Sequence, residues 1–391
     1  MRKGTFMRWG VPIAAAAVIA GAIGAGPVVA AVSGDPVLPE RSAQQLLADA
    51  AAATSKSEGP PPMSGTVQQT ASLGLPALPQ TGGGSPLSLL SGSHEVKVWY
   101  GAHDKVRVAM PTQLAETNLI LNGDQMWYWD SGTNTATRLK LPEGGERPDT
   151  SATPRPEDLT PQAAAEMVLA QAGEHTAISV SNTAEVAGRP AYQLVLKPKA
   201  AGSLVQEVRL ALDGENYVPL QVQVFAKGSA EPAFQVGFTQ VTFTPPAAEN
   251  FTFTPPAGAK VEEQKLGAHK QEMTDEQRAQ EKEAHKAAGD VKVVGEGWTS
   301  VAVLPGSLED LAKPSEGATP AGEDSPFGDR GEGDPAALID SVLKSATPVS
   351  GEWGSGKLIK TKLATALLTD DGRLLVGAVT QEEIIKAAGV K

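Results

Sequence analysis

The chain of 391 residues carries 45 acidic and 33 basic side chains, a net charge of −12, and this balance excludes a nucleic-acid grip, which needs a concentrated basic patch. It has no cysteine, which excludes disulfides, thiol catalysis, Cys-based zinc sites and a lipidated N-terminal Cys. The 41 Gly and 30 Pro imply long linkers, while 41% hydrophobic residues is the share of a globular protein, here long enough for two domains.

Arg2, Lys3 and Arg8 precede 26 uncharged residues, Trp9 to Gly34. A basic start, an Ala/Val/Ile core and small residues at Val28 to Ala31 form the pattern of an export signal, cleaved after Ala30 or Ala31. At ~1.5 Å per residue the same run is also long enough to span a bilayer as an uncleaved anchor. Both readings of residues 1–31 put the body outside the cytoplasm, secreted or in the cell envelope.

Ser42 and Gln45 form a capping box that opens a helix over Ser42–Ala53, with Leu46 and Leu47 apolar. Strand-like segments follow at Ser64–Leu73, Ser93–Gly101, Asp104–Met110, Ala115–Asn122, Gln125–Asp130 and Asn134–Leu141, set apart by turn residues. A Gly/Pro/Ser-rich insert, Gly74–Gly92, lies between the first two, and Pro142–Glu157 is a further loop. Thr160 and Pro161 then start a helix to Ala172, with Met167 and Leu169 apolar and Gly173 as its stop. Five more strands are expected at Ala177–Val186, Ala191–Pro198, Leu204–Asp213, Tyr217–Lys227 and Ala233–Thr244.

Eleven strands and two helices therefore lie between residues 42 and 257. Their apolar residues alternate with charged or amide ones, so the sheet has one apolar face that must be covered. Val96, Val98, Val106, Val108, Leu119, Leu121, Leu194, Leu196, Leu210, Leu220, Val222 and Val224 are the expected lining of that face. Two short helices cannot fill so wide a sheet, so it either curls around a cavity or packs on itself as a filled sandwich.

From Gly258 the composition changes. Lys260–Asp290 is charged and too poor in apolar residues for a buried stripe, and 264–290 reads as a solvated helical spacer. Trp298–Leu304 looks like a strand, and residues 306–335, with eight acids and two bases, read as a disordered acidic loop. A last unit holds a helix at Ala336–Ser345, strands near Lys357–Leu368 and Leu374–Val379, and a helix from Thr380. The expected division is 42–263 as one domain and 291–391 as a small α+β domain.

Catalytic signatures are missing. Gly351 to Lys357 fits the first seven positions of a P-loop, but Leu358 stands where a magnesium-binding Ser or Thr belongs, and a strand pattern follows instead of a helix. The histidines at 94, 103, 175, 269 and 285 lie far apart in sequence, with no HExxH or GxSxG motif. No cofactor or metal is implied, and an enzyme is not expected.

The run FTFTPPAGAKVEE at 251–263 is similar to the closing segment of the LolA lipoprotein-carrier family, and LNGDQMWYWD at 121–130 resembles that family's strand-turn-strand segment. The resemblance covers about residues 42–263. It implies a mainly β fold, an unclosed antiparallel β-barrel with a helical lid over a hydrophobic cavity for acyl chains. The two helices, with Leu46, Leu47, Met167 and Leu169, would be that lid. The family's Arg-Pro after the second strand is absent here, where Tyr100 to Asp104 stand instead. The segments 297–304 and 372–385 resemble the small second domain of the RseB/MucB family, which regulates an anti-sigma factor. The function expected is that of an exported monomer holding acyl chains of lipids or lipoproteins, with a membrane-bound regulator or transporter as a further partner. The alternatives are an envelope sensor binding a membrane-bound regulator and, from the strand pattern alone, a surface module with a filled core.

Overall fold

The computed structural model describes residues 38–55, 60–74, 91–112, 114–140, 172–265, 292–305 and 344–390. The N-terminal run, most of the Gly/Pro-rich insert, the 142–157 loop, the Thr160 helix up to residue 171 (with Met167 and Leu169), the spacer from residue 266, the acidic loop and residues 336–343 lie outside the described residues.

Helix α1 (Ala43–Ser55) begins at the expected capping box: the Gln45 N–H donates to Ser42 Oγ at 3.2 Å, and the Ser42 N–H donates to Gln45 Oε1 at 3.0 Å. The strands of the first sheet are β1 (Met63–Ser72), β2 (Ser91–Ala102), β3 (Lys105–Pro111), β4 (Glu116–Asn122), β5 (Gln125–Asp130), β6 (Thr135–Lys140), β7 (Thr176–Val186), β8 (Arg189–Pro198), β9 (Val205–Asp213), β10 (Pro219–Ala226), β11 (Pro232–Thr242) and β12 (Lys260–Lys265). Their spatial order is β12-β6-β5-β4-β3-β2-β1-β11-β10-β9-β8-β7, an open sheet.

The eleven strands expected between residues 42 and 257 are present as β1–β11, and a twelfth, β12, joins the sheet edge in parallel with β6. The charged stretch from Lys260 therefore starts as a strand, not as a spacer. An edge strand needs only its backbone to be paired: the Lys260 N–H donates to Asn134 O at 2.9 Å, and the Asn134 side-chain amide adds a bond from Nδ2 to Gly258 O at 2.9 Å. Residues 172–175, just before β7, are helical, so Gly173 does not act as a stop there.

Cross-strand register puts the alternating residues on a common face. Val98 stands opposite Val108, Val108 opposite Leu119, and Val106 opposite Leu121. Val222 stands opposite Leu210, and Leu210 opposite Leu194. A register shift between Pro219 and Gln221 interrupts β10, and Leu220 then gathers with Val67, Val186, Ala191, Ala211 and Phe238. Val222 instead joins Val205, Val208 and Val236. Simple alternation had grouped Leu220 with Val222 and Val224; a bulge breaks that grouping because the extra residue shifts the period by one.

The opposite face of β3–β6 is also apolar, with Ala109, Ile120, Trp129 and Ala136 buried. A short 3₁₀ turn, Ala248–Phe251, and the Pro-rich run after it lie against this side. Phe253 packs on Trp127 and Trp129 with centroids 5.5 and 5.9 Å apart, and Phe251 is buried. The 251–263 run is thus a strap that ends in the edge strand.

The second sheet contains β13 (Lys292–Val294), β14 (Val301–Pro305), β15 (Thr347–Gly351), β16 (Gly354–Lys360), β17 (Thr365–Thr369) and β18 (Arg373–Gly377), in the order β13-β14-β18-β17-β16-β15. Helix α2 (Gln381–Ala388) completes a core of Val301, Leu358, Leu367, Leu375, Val379 and Ile384. The stretch Lys357–Leu368 is two strands split by a tight turn, in which the Thr361 hydroxyl accepts from the Ala364 N–H at 2.9 Å. Trp298 sits on a 3₁₀ turn, Gly297–Thr299, rather than on a strand. The P-loop-like run is the β15–β16 hairpin. Gly356 is required there by packing, since a Cβ would stand 2.2 Å from Leu368 O.

Candidate functional site

The apolar face of the first sheet is occupied unevenly. Over β7–β9, Leu46 of α1 is fully buried among Tyr192, Leu194 and Leu212, with Leu47, Ile178, Leu196 and Leu210 packed around them. The capping box fixes where α1 starts, and that start aims Leu46 at the sheet.

Beside this cluster the second sheet takes over. Trp298, Leu363 and Ala378 pack onto Val205, Val208, Val222 and Val236, flanked by Leu196, Leu210, Val224 and Phe234. Main-chain bonds hold the contact at two places. The Leu204 N–H donates to Ala378 O and the Thr380 N–H to Gly202 O, both at 2.8 Å, around a Ser203–Val379 bridge. On the other flank the Lys362 N–H donates to Leu73 O at 2.7 Å and Lys362 Nζ to Ser72 Oγ at 2.9 Å. A third contact runs from Trp298 Nε1 to Thr176 Oγ1 at 2.8 Å. Gly297, with φ of 54°, lets the turn approach His175; a Cβ there would lie 2.5 Å from the imidazole Cγ.

Over β2–β5 the face differs. Val96 is buried, but Val98, Val106, Val108, Leu119 and Leu121 are half-buried, as are Met126 and Tyr128, which stand opposite Leu121 and Leu119. Among the described residues Val106, Val108, Leu119 and Leu121 join none of the four buried clusters. The expected lining thus divides into three parts: residues under α1, residues under the second sheet, and this half-buried row.

The buried acids are held by bases. Asp213, with no exposed side-chain surface, accepts from both Arg189 Nε and Nη2, and its Oδ1 also takes the N–H groups of Glu215 and Asn216. Glu207 lies between Lys197 at 3.0 Å and Arg209 at 2.5 Å. Burial pushes its carboxyl up, hydrogen bonds from Lys197 and Arg209 more than reverse that, and it ends below its ordinary value. The hydrogen bond from Arg373 likewise lowers Asp371. Among the described residues no group of three or more His, Asp or Glu could hold a metal ion. These pairs build corners of the fold, since each charge is spent on a neighbour.

Sequence reading missed the contribution of Trp298, Leu363, Ala378 and Thr176 to this face. Only the flanking Gly295 and Gly297, both at positive φ, mark the turn that delivers Trp298.

The fold and face define a class: an open, mainly β half-barrel whose apolar face is shared between a helix, a second small sheet and a half-buried row. Neither a protein-family model nor a curated relative matches the sequence. Among solved structures the chain is similar to a chain of the Pseudomonas aeruginosa MucA/MucB complex, at 14% identity over 88% of this chain and 96% of that one, with a TM-score of 0.39. It is similar to a LolA-superfamily protein of Nitrosomonas europaea at 12% identity, over 55% of this chain and 99% of that one, with a TM-score of 0.21. An uncharacterized conserved protein of Thermus thermophilus is similar at 13% identity, over 57% of this chain and 100% of that one, with a TM-score of 0.31.

Proposed function

We propose that this chain is an extracytoplasmic, non-enzymatic binding protein that engages a membrane-bound regulator, with residues 42–263 as its binding unit and 291–391 carrying the partner contact. The observation that carries this reading is the docking of the second sheet on the apolar face. A carrier needs that whole face free for cargo and needs to leave the membrane. Here Trp298, Leu363 and Ala378 already fill part of it. Any ligand entering the face competes for surface with the second sheet, so ligand occupancy and partner contact are linked through shared contacts. The test is photo-crosslinking in cells from position 357, on an exposed Lys of β16. One membrane-embedded partner, lost in Trp298→Ala, supports the reading; exchange among many lipoproteins with no such partner sinks it.

A second reading, acyl-chain binding, is favoured by the half-buried row on β3 and β4. A chain of about 15 methylenes buried at ~0.8 kcal/mol each offers about 12 kcal/mol before ordering costs. In this reading Leu46, Leu47, Val96, Val98, Val106, Val108, Leu119, Leu121, Met167, Leu169, Leu194, Leu196, Leu210, Leu220, Val222 and Val224 line the ligand's path. Mass spectrometry of lipid co-purifying with the protein checks it, and a ligand-free preparation from cells rich in lipoprotein counts against it.

A further inference from the structure

We infer that the Thr137 hydroxyl is the polar anchor for a single-chain amphiphile laid along the half-buried row, bonding the first hydroxyl, ester or amide group next to its chain. The inference rests on the acyl-chain reading above. It adds where the head of the ligand sits and which way its chain runs.

Pairing across the strands sets the row. Val98, Val108, Leu119, Tyr128 and Thr137 stand opposite one another in turn on β2 to β6, and Glu262 of the edge strand β12 stands opposite Thr137. Directly paired residues share a face, so Thr137 lies on the same face as Val108 and Leu119. From Val98 to Thr137 is four strand spacings of ~4.8 Å, about 19 Å. The two ends of the row differ. At the inner end Val98 packs against the cluster of Val67, Leu220 and Phe238, and its partner Gly65 leaves room for Phe238: a Cβ there would stand 2.8 Å from the ring. At the outer end Glu262 pairs with Lys260 at 2.6 Å on the edge strand, and both side chains reach solvent. A chain in the row therefore runs its tail towards Phe238 and its head towards β12.

Thr137 is the point at which this apolar row becomes polar. It is fully buried, and among the described residues its Oγ1 makes no hydrogen bond. Thr135, two residues away on the same face of β6, donates its hydroxyl to Thr133 O at 3.2 Å. A buried hydroxyl without a partner lowers stability, and a Val of nearly the same shape would avoid that cost. A ligand with a hydroxyl, ester or amide beside its chain satisfies Thr137 on binding, since a hydroxyl both donates and accepts. A bare hydrocarbon leaves it unsatisfied.

The test compares the full chain with its Thr137→Val and Thr137→Ser variants in ligand binding and in thermal unfolding. Diphenylhexatriene is a fluorescent hydrocarbon with no polar group. Monomyristoylglycerol and an N-myristoylated peptide, each displacing it, carry a lipid and a lipoprotein type of head. Thr137→Val is expected to raise the melting temperature, keep the affinity for diphenylhexatriene, and weaken one or both headed ligands about tenfold, the worth of one hydrogen bond. Thr137→Ser keeps the hydroxyl and should retain that affinity. The headed ligand that responds to Thr137→Val tells whether a glycerol ester or an acyl amide is bound. Unchanged affinity for both headed ligands in Thr137→Val, with diphenylhexatriene still bound, overturns the anchor and leaves the acyl-chain reading standing. A lower melting temperature in Thr137→Val shows a hydroxyl already satisfied within the fold and also overturns the anchor. Failure of the unsubstituted chain to bind diphenylhexatriene overturns the acyl-chain reading, and the anchor with it.

Discussion

The indole N–H of Trp298 donates to the Thr176 hydroxyl at 2.8 Å, joining a turn of the second sheet to the first residue of β7. A half-buried indole needs a partner for its one polar atom, and Thr176, itself buried, needs one for its hydroxyl. The bond settles both while the rest of the ring packs on Val208 and Val222 in the same cluster.

Removing the ring tests the contact. Trp298→Ala is expected to cost about 2 kcal/mol, in the range for burying one large apolar side chain. Trp298→Phe keeps most of the packing and loses about 1 kcal/mol with the hydrogen bond. Urea unfolding followed by near-UV circular dichroism and by proteolysis should show the two sheets melting apart in the Ala variant. A single unchanged transition would mean the contact contributes nothing.

Gly297→Ala attacks the same contact through the backbone. A φ of 54° strains any L side chain, and the new Cβ would meet His175. The expected outcome is a loosened second sheet with α1 and β7–β9 intact, read as faster amide exchange confined to residues 292–305 and 344–390.

Glu207 gives a pH dependence whose sign is fixed. Its native pKa lies below the ordinary 4.5, so its contribution is complete above that value and is lost as the pH falls through the lowered native one. Glu207→Gln should therefore flatten the decline in melting temperature on acidification below about pH 4.5. An identical acid limb in both proteins would remove Glu207 from the account. Lys197 and Arg209 are partly exposed, so the effect is small and weakens with salt.

Asp213→Ala leaves Arg189 without its main partner and frees two turn N–H groups. A loss of about 3–5 kcal/mol is expected, as for breaking a buried ion pair from one side. Asp213→Asn should fall between the two, because an amide oxygen still accepts from the turn. Thermal unfolding measures both.

Val108→Asp addresses the half-buried row. It should abolish binding of a fluorescent long-chain fatty acid by placing an uncompensated charge on the apolar face. Retained affinity in a folded variant would exclude the acyl-chain reading while leaving the regulator reading untouched.

Most of the first sheet was legible because its rules are local. Period-2 alternation located eleven strands, and the Ser42–Gln45 capping box placed the start of α1 within a residue. The absence of a catalytic motif was equally plain, since Leu358 and the strand after it spoil the P-loop spacing. Three features depended on partners distant in sequence. Edge strand β12 carries no apolar alternation, its one apolar residue Val261 being exposed, and the bulge at Leu220 depends on how β9 and β10 fit together. Which residues cover the apolar face was decided by docking: Trp298 reaches Thr176 of β7 from a turn 122 residues later in the chain. Alternation says that a face must be buried, and only the tertiary structure says by what, because burial is satisfied by any apolar surface that arrives there.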